Sequence, residues 1–501
     1  MRFPHPSFLL ALLAILPIRV SGNDLPIWLV IGDEKLQEAA APLLEYRRSE
    51  GFDVRTSTLS VKKALEHLVK QPNYIVLLGD DVLSSEPEQG AYLKGERRTL
   101  YRWQKTQPEG FVSDAVFGDT DGDEIPDIPV GRLPGRTPEA VSQIARKIVH
   151  YENLPATQDV LRFPVWAGNP AYGDHFQANM ASNLLRQTLL MQAPVWADLD
   201  LIMGNATDPL SAVPEKHVDL FHESLAKGGG LFTGLMGHGG NDAFYSMPVG
   251  RTWIAYHSSQ VEQAVGTVPA SPAIIFSCDC GNFAHSDESL AESLLKVPGG
   301  PSAVIAATTQ SHPLPNYYSS ICWLQELKRR PSDRLGDIWV AAQKAGYKKR
   351  DALVELVLAN IEGKLEGKLD TPRIRKDHVL LYALLGDPAT RLKQPLPLKA
   401  TFEREGDQWR WTVTDPPRGA DYLQIAHRTP PPLLEPKAED LSDQAAMVLY
   451  RKASSALQFQ ELLKVNSPTS WTGLTQHRRG TLRLAVQAAG RLRVAAKELQ
   501  E

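Results

Sequence analysis

Cysteine is scarce in this chain: 501 residues carry three, at Cys278, Cys280 and Cys322. So few thiols exclude a fold stapled by disulfides, and stability must come from ordinary apolar packing. Basic residues are not in excess either, since 54 Lys and Arg face 58 Asp and Glu for a formal net charge of -4. That balance excludes a nucleic-acid surface built on a basic stripe, and no nucleic-acid partner is expected. Long apolar runs are missing beyond the first residues, and no later stretch reaches the roughly eighteen residues that read as a membrane span.

What is present begins with MRFPHPSFLLALLAILPIRVSGNDLP, in which Arg2 precedes an apolar run from Phe8 to Ile18 and then Val20, Ser21 and Gly22. A basic start, a short apolar core and small residues make a secretory signal peptide over residues 1–22, too short to serve as an anchor. The expectation is an exported protein, periplasmic, cell-surface or secreted, with no stable membrane insertion after signal cleavage. Cleavage removes Arg2 and Arg19 and no acid, so the mature chain is slightly more acidic. An odd number of thiols in an oxidising compartment leaves at least one unpaired or paired between chains, which draws attention to a reactive cysteine.

From Leu25 the pattern LPIWLVIGD, KLQEAAAPLLEYRRSEG, FDVRTSTLS, VKKALEHLVK, NYIVLLGDD alternates apolar strands with helix-period segments, the mark of βαβ units and a parallel sheet. Thr137 is a good N-cap and Pro138 opens a helix with Val141, Ile144, Ile148 and Val149 at helical spacing. A second α/β run follows from FPVWAGN to LLYALLGDPATRL, forming a second parallel sheet or an extension of the first. The Pro-rich QPLPLK marks a boundary, and beyond it short alternating runs predict a small all-β sandwich. The expected division is a signal peptide over 1–22, an α/β subdomain over 23–157, a second over 158–396 and a β-sandwich over 397–501.

Two apolar strands end in reactive side chains. LFTGLMGHGG delivers His238 between Gly237 and Gly239, and AIIFSCDCG delivers Cys278 forty residues later. In an open parallel sheet, ligands bind in the crevice beyond the carboxyl ends of the strands, so the two side chains meet there if their strands are neighbours. A Cys and a His together form the minimal nucleophile and acid/base pair. Gly239 and Gly240 let the backbone approach a substrate and offer N–H groups to an oxyanion. The alternative left open is a turn histidine and a small buried thiol.

These residues carry a resemblance. GLMGHGG resembles the His-Gly motif of caspase-like cysteine peptidases, and SCDCGNF resembles the gingipain pattern Ala-Cys-x-x-Gly-x-Phe, with Gly281 and Phe283 in register. IWLVIGDE, YIVLLGDD, IPVGRLP, HYE, PSAVIAATTQ and LLGDPATRL are similar to gingipain segments in the same order, over roughly residues 25 to 395. The resemblance implies a caspase-like catalytic region of two parallel-sheet α/β subdomains followed by an immunoglobulin-like sandwich. It also implies a cysteine endopeptidase acting on protein or peptide substrates: Cys278 attacks as thiolate, His238 protonates the leaving amine, and the Gly239 and Cys278 amides hold the oxyanion. Asp174, in WAGNPAYGD, is the candidate carboxylate to orient His238, and Thr309, Gln310 and His312 are the candidate substrate pocket.

The chain departs from the family in several places. The α/β pattern starts within a few residues of the expected cleavage site, so activation by removal of a long propeptide is not carried over. The loop that in gingipains holds a Trp and sets Arg/Lys specificity reads SHPLPN here, so substrate preference is not carried over either. Some gingipain relatives are sortase-like transpeptidases, and a catalytically inactive exported scaffold of the same fold is the other alternative. Cys-x-Cys with one further Cys argues against zinc. Strand alternation puts Cys280 on the same face as Cys278, lining the crevice or trapping the nucleophile in a disulfide.

DTDGDEIPD places Asp119, Asp121, Asp123 and Asp127 at positions 1, 3, 5 and 9, a spacing that lets carboxylates converge on a structural calcium ion. Glu124 stands where the common calcium loop has its turn Gly, and a solvated acidic turn is the competing reading. No organic cofactor is expected.

Overall fold

The computed structural model describes residues 25–81, 93–101, 109–171, 175–264, 266, 268–352, 354–355, 370–430, 437–438, 441–466, 471–476 and 479–499. The signal peptide expected over 1–22 lies outside the described residues.

Ten strands form one continuous sheet. Across it they run Asp53–Ser57, Ile27–Ile31, Tyr74–Leu78, Val130–Leu133, Tyr382–Leu385, Val304–Ala307, Ala273–Phe276, Thr233–Met236, Arg162–Ala167 and Asp198–Met203. The first five are parallel to one another and so are the last five. The two blocks meet at an antiparallel pair, Val304 opposite Leu385 and Ala307 opposite Tyr382. The second α/β run therefore extends the first sheet rather than building a separate one. Tyr382–Leu385, last in sequence, crosses back to complete the N-terminal block. Because the blocks run in opposite directions, their carboxyl ends face opposite ends of the sheet, and His238 and Cys278 both follow strands of the second block.

The central strands Ile27–Ile31, Tyr74–Leu78, Ala273–Phe276 and Val304–Ala307 are buried along their whole length, as near-continuous apolar sequence requires of parallel strands covered on both faces. The helix Pro138–Asn153 starts as its sequence predicts, with the Thr137 hydroxyl accepting from the Ala140 N–H and with Val141, Ile144 and Ile148 buried. A cluster of charge is buried on the same side of the sheet. Arg47, fully enclosed, bonds Asp387 through Nε at 2.7 Å and pairs with Glu152 and Glu50. Asp387 also accepts from the Trp28 indole at 3.0 Å. One guanidinium thus ties two helices to the strand end beyond Leu385.

After the sheet, a five-stranded and a three-stranded sheet enclose a core of Leu398, Trp411, Val413, Leu423, Ile425, Leu482, Leu484, Val486 and Leu499. A helix that the sequence reading did not anticipate, Asp443–Ala456, lies between the strands Ala420–Arg428 and Gln460–Asn466. Its Ala453 and the following Leu457 pack into a core that lies against the large sheet. Arg483 bonds Asp198 at 2.7 Å and stacks on Phe459, so the module is docked against the last strand of the large sheet.

Removing Arg47 leaves buried carboxylates unpaired, which costs more than the ion pairs themselves contribute. Arg47→Met should lower the unfolding free energy by about 3–5 kcal/mol in urea denaturation, whereas exposed Lys399→Met, whose partner Asp415 is also exposed, should change it by less than about 1 kcal/mol.

Candidate active site

The strands Thr233–Met236 and Ala273–Phe276 are direct parallel neighbours, with Met236 opposite Phe276. His238 and Cys278 each lie two residues beyond that level, so both follow the same end of this strand pair. His238 opens a short strand, His238–Gly240, that pairs antiparallel with Ala243–Val249, Tyr245 facing it. It is therefore an anchored strand residue rather than a turn histidine. Trp253 packs its ring against the imidazole edge-on at 5.5 Å. The Nε2 atom lies 2.8 Å from the Pro170 carbonyl oxygen, which fixes the plane of the ring. A backbone carbonyl thus holds His238; Asp174, the carboxylate expected there, lies outside the described residues.

Gly239 presses directly on the cysteine loop. A Cβ at that position would sit 2.3 Å from the Ser277 hydroxyl and 2.8 Å from the Cys278 carbonyl, so only glycine lets the two loops touch. Cys278 itself is half-buried at the turn after its strand. The Cys280 N–H donates to the Cys278 carbonyl at 2.7 Å across Asp279, whose φ of 58° is a left-handed conformation uncommon outside glycine. The turn is held from outside by the Thr309 carbonyl, which accepts from the Asp279 N–H.

That turn ends the strand alternation expected to carry Cys278 and Cys280 on one face. Cys280 is fully buried, donates toward the Ala243 carbonyl at 3.5 Å, and burial pushes its thiol far above the usual range. It neither lines the crevice nor supplies a thiolate. Cys322 is also buried, its thiol pushed up to about 11 by burial, and no disulfide joins any of the three.

The Cys278 sulfur lies 3.6 Å from the Ser311 carbonyl. Asn316 donates to the Ser311 hydroxyl at 2.9 Å, and its carbonyl oxygen accepts from Tyr382 at 2.7 Å and His378 at 2.5 Å. This polar chain runs from the Cys278 loop to the seam between the two strand blocks. Sequence reasoning missed Ser311, Asn316, His378 and Tyr382; the signal available was a set of polar side chains in segments otherwise apolar enough to be core.

Of the residues expected to form the pocket, Gln310 is exposed. Thr309 and His312 are buried, and the His312 ring caps the helix Pro313–Arg329 by accepting from the Leu314 N–H. The cavity that adjoins His238 is lined instead by residues such as Met236, Phe276, Leu185, Pro313 and Asn316, and none of Thr309, Gln310 or His312 is among its lining.

In the acidic loop, Asp119, Asp121 and Asp127 bring carboxylate oxygens within 4.8 Å of one another. Asp123 does not join them; its carboxylate accepts from the Ile125 N–H. Glu124 holds a φ of 65°, taking the left-handed conformation usually left to glycine, while its carboxylate pairs with Arg98 and Lys376. Lys344 bonds Asp127 at 2.6 Å and, with the Thr120 hydroxyl, holds that carboxyl below its usual range. The oxygen donors suit a hard cation such as calcium.

With this geometry in place, comparison with known proteins is decisive for the family. The sequence signature of peptidase family C25 matches residues 25–393. The chain belongs to peptidase family C25. It is thus a member of a family of cysteine peptidases, and its substrates are proteins or peptides. Among solved structures it is similar to the complex of the pro- and mature domains of RgpB from Porphyromonas gingivalis, at 13% identity and TM-score 0.52, over 94% of this chain and 100% of that one. It is also similar to an Arg-specific cysteine proteinase, gingipain R, at 13% identity and TM-score 0.51, over 97% and 99%. A structure titled as a protease matches at 15% identity and TM-score 0.51, over 95% and 97%. At such identities these structures share the fold, C-terminal module included. No curated protein matches the chain. Among the described residues no helix is long and apolar enough to cross a membrane.

The C25 site carries a titratable element in its support. His378 is fully enclosed, and burial, with the neighbouring His312 adding to it, pushes its pKa down to about 3. The folded form therefore stays neutral where the unfolded chain takes a proton near 6.5, so stability falls as pH drops below about 6.5 and levels off near 3. Wild type should lose up to about 1.4 kcal/mol per pH unit from this group between pH 6 and 4, and His378→Asn should show a shallower slope in urea midpoints.

Proposed function

We propose that this C25 member is an exported cysteine endopeptidase that works through a Cys278/His238 dyad and a thioester acyl-enzyme. The observation that supports the reading is the register that pairs Met236 with Phe276 on neighbouring strands, two residues before His238 and Cys278, with Gly239 pressed against the cysteine loop. In the first step the Cys278 thiolate attacks the scissile carbonyl carbon, and the oxyanion is held by the Gly239 and Cys278 amides. The C–N bond then breaks as His238 delivers its proton to the leaving amine, which leaves a thioester. Water adds to the thioester, His238 takes its proton, and the C–S bond breaks to release the carboxylic acid and regenerate the thiolate. The Pro170 carbonyl orients the imidazole throughout, and the Ser311–Asn316 chain orients the sulfur. Export is supported by the signal-like residues 1–22.

Cys278→Ala should abolish cleavage of a peptide library and His238→Ala should reduce kcat/KM by about 10²–10⁴-fold. Iodoacetamide mapped by mass spectrometry should label Cys278 and spare Cys280. Labelling that survives at Cys280 in Cys278→Ala would sink the assignment.

We propose further that Asp119, Asp121 and Asp127 hold a structural calcium ion, supported by their convergent oxygens. Adding EGTA to calcium-loaded protein should lower Tm by several degrees, and Asp121→Asn should remove that response. An unchanged Tm identifies the loop as a solvated acidic turn.

A further inference from the structure

We infer that the cavity beside His238 is the specificity subsite of this peptidase and takes an uncharged apolar side chain from the residue adjoining the scissile bond. The inference rests on the dyad proposed above, since it concerns which peptide bonds that dyad reaches. Its ground is the same register that places the dyad. Met236 and Phe276 face each other at the ends of neighbouring strands, and two residues further along each strand come His238 and Cys278. Met236, Phe276 and His238 all line the cavity, so the apolar pair forms a floor beside the His238 ring.

The walls continue that chemistry. Leu184, Leu185 and Val354 close the sides, Pro313 opens the next helix, and Pro170 and Gly237 form the rim against the His238 ring. The cavity has a volume of about 110 Å³. A dry apolar cavity of roughly 150 Å³ holds a benzene ring, so this one suits a side chain of Val, Leu or Met size. Among the described lining residues there is no Asp, Glu, Lys or Arg. The polar groups at its edge are engaged: Asn316 with Ser311, Tyr382 and His378, and the Tyr317 hydroxyl with Thr188. Among the described lining residues an arginine or lysine side chain would shed its hydration against apolar walls, whereas an aliphatic chain gains from leaving water.

The test uses the full mature chain with reductant, a proteome-derived peptide library and mass-spectrometric mapping of every cleaved bond, with Cys278→Ala as the background. Cleavage sites should be enriched in Leu, Met or Val at one position flanking the bond. Fluorogenic peptides that differ only there should give kcat/KM for Leu at least about 100-fold above Lys or Arg. Leu185→Asp should lower the Leu substrate and raise Lys or Arg relative to it by at least tenfold, with the rate of Cys278 alkylation unchanged as the sign of an intact fold. Cys278-dependent cleavage with basic or flat preference on both sides of the bond would overturn the subsite and leave the peptidase reading standing. The absence of any Cys278-dependent cleavage would overturn that reading and the subsite with it.

Discussion

The parallel pairing of Thr233–Met236 with Ala273–Phe276 is the constraint on which the site depends. Shifting that register by one residue would put one of the two reactive side chains on the opposite face. With Met236 opposite Phe276, the sheet places an apolar floor and, two residues later, a histidine and a cysteine at one level. Gly239 lets the two loops approach until the glycine touches the Cys278 carbonyl, a contact that any Cβ would forbid. The chemistry is therefore held by backbone hydrogen bonds of a buried sheet, among the stiffest parts of a protein.

The rest of the fold protects this arrangement. Two parallel blocks of five strands meet at one antiparallel pair, and Tyr382, in that pair, donates to Asn316, which holds Ser311 beside the nucleophile. The seam that joins the blocks is thus also the rear support of the cysteine loop. On the other block, Arg47, Asp387, Glu152 and Glu50 gather buried charge where the final strand ends, and that network fixes the crossing strand in place. The C-terminal module adds a helix and a docked arginine to the outer edge strand, covering a row of groups that would otherwise be exposed to pairing.

Supports of one kind hold the proposed dyad. The histidine is oriented by a main-chain carbonyl, and the sulfur lies beside a main-chain carbonyl of Ser311. Both oxygens belong to the main chain, so these supports carry the same charge at every stage of the proposed cycle. The burial of Cys280 in the layer beneath separates the two thiols chemically although one residue separates them in the chain.

Much was legible from sequence alone. The apolar runs of period two and 3.6, Thr137 before Pro138, and the Gly-flanked His238 and strand-ending Cys278 carried the fold class, most of the order of elements and the pair proposed to react, because those signals are local. Other features came only from tertiary structure. The Pro170 carbonyl has no side-chain signature, the role of Asn316 depends on His378 and Tyr382 more than sixty residues away, and Cys280 lost its place on the strand face to a turn at Asp279. Thr309 and His312 sit in the segment named for the pocket, yet they cap and buttress it, while Met236 and Phe276 looked like ordinary strand residues. The sequence by itself determined which elements form and which side chains can react. Register, seam and cavity were decided only when distant strands paired, because a contact across a sheet leaves no mark in the spacing of either strand.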